Sequence, residues 1–147
     1  MNSSPTKLVR VLFVDDEPTI RETLSAILRT HGFEVTSVST AEDALAEIKT
    51  AQFDVLISDM NIGQLGDGFT VVKAMRNTQL NCATLVLTGH PATETALLAL
   101  RYEVDDELLD GVVSKGEGPE ALLAKVDHLM ARKASRTSVE ESPSSGL

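Results

Sequence analysis

Val55-Leu56-Ile57-Ser58-Asp59-Met60-Asn61-Ile62 decides how the chain folds. The apolar run 55–57 reads as a short strand buried on both faces, and such strands belong to parallel sheets covered by helices. The strand gives way to Asp59, and glycines follow at Gly63, Gly66 and Gly68. In a parallel sheet the carboxyl ends of the strands line the crevice where ligands bind. An acid there is a candidate for chemistry, although Asp59 alone would be an ordinary strand-ending residue.

Working outward, residues 53–58 form the third of five strand signals. Upstream, residues 8–14 (LVRVLFV) read as a first strand that runs into Asp15-Asp16-Glu17. Pro18 suits the first turn of a helix, where its missing N–H costs nothing. Ile20, Leu24, Ile27 and Leu28 then recur at helical spacing, and Gly32 stands where a left-handed cap ends the helix. Residues 34–39 are a more polar strand, suited to a sheet edge. Thr40 reads as an N-cap, with Asp43 three residues on, and Ala44, Leu45 and Ile48 face inward. Downstream come a helix over 69–77, a strand over 84–87 running into Thr88-Gly89, a helix over 93–102 that Tyr102 closes by packing, a strand over 111–114 running into Lys115, and a helix over 119–132. Strand and helix alternate five times, which predicts an α/β fold with a doubly wound five-stranded parallel sheet and right-handed crossovers. Residues 1–6 read as a flexible arm, 7–133 as one domain and 134–147, rich in serine, as a disordered tail.

Composition bounds the function. The 147 residues suit one domain, and hydrophobic residues at 42% suffice for a core that must be aliphatic, since aromatics are 3%. Cys82 is the one cysteine, so there is no internal disulfide and no Cys/His zinc cluster; small core filler is its expected role. His31, His90 and His128 lack metal-ligand spacing and belong at surface or cap positions; for His90, two residues past Thr88, a place bordering the candidate pocket is the minority reading. No apolar run approaches the ~20 residues of a membrane span, and the amino-terminal stretch lacks an apolar signal core, so a cytoplasmic protein is expected. The net charge of −9 disfavours direct binding to nucleic acid and suits a bound cation.

Four strand ends carry polar residues of particular types: Asp15 and Asp16, then Asp59, Thr88 and Lys115. A doubly wound sheet brings them to one edge. Three carboxylates in one place repel unless a positive charge sits among them. Mg²⁺, which takes carboxylate and water oxygens, answers that need. Lys115 supplies a point charge for phosphate oxygens, the Thr88 hydroxyl can donate to one, and Asp59 is left as a carboxylate nucleophile able to form an aspartyl phosphate.

The segments VLFVDDE (11–17), ISDMNI (57–62), VLTG (86–89) and VVSK (112–115) together resemble the signature segments of response-regulator receiver domains. The resemblance covers about 7–132 and implies the flavodoxin-like strand order 2-1-3-4-5. It implies that Asp59 accepts a phosphoryl group from a histidine kinase or phosphotransfer protein. Asp16, Asp59 and the main-chain carbonyl of Asn61 would hold Mg²⁺, with Asp15 reaching it through water, and Thr88 and Lys115 would contact the phosphoryl oxygens. The expected protein is a stand-alone receiver, monomeric or weakly dimeric, that signals through a downstream protein partner without inserting in a membrane. Three positions depart from the family pattern. Gly63 stands where Pro is usual, with the loop 63–67 one residue longer. Gly116 stands where a cis Pro usually follows the Lys. Val112 stands where many members carry a switching aromatic. Two rivals remain open: a degenerate receiver that binds its partner without phosphorylation, and an aspartyl-phosphate phosphatase, in which Asn61 would occupy the place of the second acid.

Overall fold

The computed structural model describes residues 8–63, 67–89 and 110–145, the side chains of 134–145 excepted. Strand β1 is Arg10–Val14, helix α1 Pro18–Thr30, β2 Glu34–Val38, α2 Ala41–Thr50, β3 Val55–Asp59, α3 Asp67–Thr78, β4 Ala83–Thr88, β5 Gly111–Ser114 and α4 Pro119–Ser145, with a 3₁₀ turn at Lys115–Glu117. The helix expected over 93–102, with Tyr102, lies outside the described residues, as do the arm 1–6 and His90.

All four strand pairings are parallel, and the order is β2-β1-β3-β4-β5, the flavodoxin-like arrangement. Every residue of β3 and β4 is buried. Alternation along the strands then sends successive side chains to opposite faces. Val11, Phe13, Val55, Ile57, Leu85 and Leu87 pack with Leu28 of α1 and Leu122 and Val126 of α4. Leu12, Val14, Leu56 and Val86 pack with Ala44 and Ile48 of α2 and Val72 and Met75 of α3. Two aliphatic cores thus clamp the sheet from both sides. Cys82 is the buried filler the sequence suggests, 2% exposed.

Local signals explain the element ends. Pro18 opens α1, and Gly32 follows it with φ +99°. The Thr40 Oγ1 accepts from the Asp43 N–H at 3.0 Å, capping α2. The polar second strand lies at a sheet edge. Most boundaries shift by a residue or two, and two of the differences have causes outside the element concerned. Phe53 is buried but precedes β3, because its N–H donates to the Gln79 Oε1 at 2.8 Å instead of joining the ladder. Helix α4 continues to Ser145, where the sequence reading ended it at 132 and expected a disordered tail from 134. Once Leu122, Val126 and Leu129 are packed, further turns need no new nucleus, only one hydrogen bond per residue fixed.

Candidate functional site

Register builds the site. Val14 pairs with Ser58, so the next residues, Asp15 and Asp59, emerge side by side from β1 and β3. Asp59 pairs with Leu87, which sets Thr88 one step further along β4, and Thr88 pairs with Ser114, which sets Lys115 just past β5. The strand ends named from sequence therefore converge. Carboxylate oxygens of Asp15, Asp16 and Asp59 all lie within 4.8 Å of one another. The Lys115 Nζ stands 3.3 Å from Asp59 Oδ2 and 3.5 Å from Asp15 Oδ2. Thr88 is fully buried at the end of β4.

Each carboxylate is held differently. Asp15 is fully buried; its Oδ1 accepts the Glu17 N–H at 2.9 Å, and its main-chain carbonyl accepts Arg21 Nη1 at 2.9 Å. Its Oδ2 has no hydrogen-bond partner among the described residues, and Lys115 Nζ faces it as an ion pair at 3.5 Å. Asp59, 7% exposed, receives the Asn61 N–H on Oδ1 at 3.4 Å. Asp16 is exposed and receives the Gly63 N–H on Oδ2 at 3.0 Å.

Charge does not balance. Burial, and then the neighbouring Asp15, push the Asp59 carboxyl up to about 6, and the pull of Lys115 and the Asn61 N–H offsets only part of this. Burial disfavours the Lys115 ammonium, but Asp59 and Asp15 outweigh it, and its pKa is raised. Among the described residues, three carboxylates thus face one ammonium. An orphaned buried carboxylate oxygen, within a cluster close to the about 4 Å width of a Mg²⁺ coordination sphere, fits a hard divalent cation. Asn61 adds its main chain at the same place, two residues past Asp59.

The turn that aims Lys115 is built without proline. No described peptide bond is cis. The Ser114 Oγ instead accepts the Gly116 N–H at 3.2 Å and caps the 3₁₀ turn. Gly118, not Gly116, takes the positive φ there, at +87°. Val112 is exposed.

Sequence reasoning passed over several contributors: the Gly63 N–H on Asp16, Arg21 and the close approach at Gly68. Arg21 sits in the first turns of α1, and no periodicity marks it as a clamp on Asp15. Gly68 brings α3 onto the site: a Cβ there would fall 2.2 Å from the Asp59 carbonyl oxygen, and its N–H donates to the Met60 carbonyl at 2.9 Å. The cluster of glycines after β3 was its signal. His31 is an exposed cap residue facing Asp127 at 3.1 Å, and His128 is also exposed, so neither joins the site.

Known proteins place this geometry. A response regulator receiver protein of Anaeromyxobacter is 37% identical over 94 residues, 64% of this chain and 39% of that protein. The regulatory protein AtoC of Escherichia coli is 31% identical over 104 residues, 71% of this chain and 22% of AtoC. The chain thus spans well under half the length of these two relatives. Among solved structures, the response regulator TrrA of Thermotoga maritima, in complex with Mg²⁺–BeF, superposes with a TM-score of 0.70 at 27% identity, over 83% of this chain and 99% of that one. A CheY-like receiver of Methanospirillum hungatei shares the fold with a TM-score of 0.76 at 23% identity, over 88% of this chain and 99% of its own. The response regulator receiver domain family matches residues 11–127, and that span holds all four strand ends of the acidic edge. The chain belongs to the response-regulator receiver domains of two-component signalling.

Proposed function

We propose that Asp59 is the phosphoacceptor of a receiver that takes its phosphoryl group from a histidine kinase or phosphotransfer protein. The observation that carries this is a nearly buried carboxylate at the end of β3, with Lys115 Nζ 3.3 Å from its Oδ2. With a pKa near 6, Asp59 is ionised at neutral pH and more basic than an ordinary aspartate, which suits a nucleophile. An Asp59 carboxylate oxygen attacks phosphorus in line with the P–N bond of a phosphohistidine. The P–O bond forms as P–N breaks, and the imidazole leaves and takes up a proton. Asp16, Asp59 and the Asn61 carbonyl would hold Mg²⁺, with Asp15 reaching it through water. The cation would supply charge neutralisation on the transferring phosphoryl group. Lys115 would keep its charge on the phosphoryl oxygens, and the Thr88 hydroxyl would donate to another.

Receiver domains are signalling modules rather than turnover enzymes, so the output is a contact. The acidic surface favours a protein partner over nucleic acid. No helix among the described residues is long and apolar enough to cross a membrane. The test is phosphorylation by a small phosphodonor such as acetyl phosphate with Mg²⁺. Wild type should acquire one acid-labile phosphoryl group and folded Asp59→Ala none. Stoichiometric labelling of that variant would place the nucleophile elsewhere.

A further inference from the structure

We infer that the main-chain N–H of Gly63 is a positioning group for Asp16, and that its hydrogen bond persists when the cation binds. The inference rests on the reading of Asp16 as a Mg²⁺ ligand. Of the three carboxylates, Asp15 and Asp59 are immobilised by burial, and Asp16 is the exposed one. The Gly63 N–H, 3.0 Å from Asp16 Oδ2, ties it across 47 residues of sequence to the loop that follows Asp59. An exposed aspartate must otherwise give up rotamer freedom when a cation fixes it. A carboxylate has two oxygens and about four lone-pair sites, so one N–H on Oδ2 leaves Oδ1 open to the metal. Carboxylate ligands held by an outer donor bind metal more tightly than free ones.

The donor is itself held in place. Ile62, just before it, is 4% exposed and belongs to the α2–α3 core. The Gly68 N–H closes the far side of the loop onto the Met60 carbonyl at 2.9 Å. Gly63 has φ +83°, and a Cβ there would meet nothing within 4 Å. Backbone conformation, not space, therefore selects glycine. The proline that the family pattern puts at this position has neither an N–H nor access to that φ. The glycine at 63 thus adds a donor to the metal site that the usual residue could not supply.

The test is a Mg²⁺ titration followed by amide chemical shifts in wild type, Gly63→Ala, Gly63→Pro and a semisynthetic chain with an ester replacing the Gly63 amide. The ester deletes the N–H and keeps the backbone freedom of glycine, so it decides the matter if Gly63→Pro distorts the loop. Affinity should fall about tenfold in the ester and in Gly63→Pro. Gly63→Ala, which keeps the N–H at a strained φ, should recover most of that loss. The Gly63 amide of wild type should exchange slowly both before and after Mg²⁺ is added. An ester that binds Mg²⁺ as tightly as wild type overturns the inference and leaves the metal reading standing. Loss of Gly63 protection on Mg²⁺ binding does the same. A wild type that binds no Mg²⁺ at millimolar concentrations overturns both.

Discussion

At the amino-terminal end of the sheet, Asp54 and Asp110 each lie just before a strand, and each is matched by donors. Asp54 Oδ2 accepts the Arg10 N–H at 2.9 Å, and its Oδ1 faces Lys133 Nζ at 3.5 Å. Asp110 Oδ2 accepts the Thr84 N–H at 2.8 Å and faces Arg76 Nη1 at 3.5 Å. At the carboxyl-terminal end, Asp15, Asp16 and Asp59 crowd one another with Lys115 as the ammonium among them. The residue type is the same and the circumstance is opposite. Main-chain N–H groups that begin strands need acceptors, so acids at the amino end complete the ladder. At the carboxyl end the strands present no such donors, and the charges are left for something outside the chain. Stability is vested in the first end, and the chemistry proposed for Asp59 belongs to the second.

The largest expected stability effect is at the amino end. The Gln79 side chain accepts the Phe53 N–H at 2.8 Å and donates to the Ile48 and Ala51 carbonyls at 3.0 and 2.7 Å. Gln79→Ala strands two buried main-chain groups and a half-buried third and should cost about 3 kcal/mol in urea unfolding, with Mg²⁺ affinity unchanged. An equal loss of Mg²⁺ affinity would erase the division between the two ends.

At the carboxyl end the sign reverses. The Asp59 pKa rises from 3.8 to about 6 on folding, so the folded state binds this proton more tightly than the unfolded chain. The cost of ionising Asp59 in the fold is absent below about pH 4, grows through pH 6 and is complete above it. In metal-free protein at pH 7.5, Asp59→Asn should therefore be about 2 kcal/mol more stable than wild type, and the gap should close by pH 4. Saturating Mg²⁺ should stabilise wild type and shrink the difference. Denaturant midpoints at the two pH values, with and without Mg²⁺, measure this; a destabilised Asp59→Asn at pH 7.5 would show the carboxylates to be relaxed.

The smallest effect sharpens which glycine shapes the site. A Cβ on Gly116 would meet only Ser114 Oγ, at 3.6 Å, and its φ is not positive. Gly116→Ala should stay within about 0.5 kcal/mol of wild type by thermal melting. A larger loss would mean the turn aiming Lys115 depends on that glycine after all.

What was legible in the sequence was local or repeated. The burial of β3 shows in its unbroken apolar run, the Thr40 cap in its spacing to Asp43, and the acidic edge in the type of residue that follows each strand. Parallel topology turned that list of strand ends into a place. What escaped notice joins distant residues through the main chain. Gln79 meets Phe53 across 26 residues, and Gly63 meets Asp16 across 47, and neither contact leaves a period in the sequence. Close approach is only half legible: the glycines after β3 mark the loop, but not that Gly68 is the one α3 lays against Asp59. The extension of α4 escaped because its cause is the packed helix before it, not its own composition.

The β1–β3 pairing that sets Asp15 beside Asp59 joins segments 44 residues apart, and Lys115 arrives only with the last strand, at the far edge. Until β5 docks, the acidic cluster lacks that ammonium. Side chains alternate with a period of two, so a slip of one residue in any pairing would turn a site residue to the wrong face. The arrangement proposed to accept a phosphoryl group is therefore a property of the finished sheet and of no fragment of it. On the proposed function, a phosphodonor meeting this surface would test, at each encounter, whether the chain has completed its assembly.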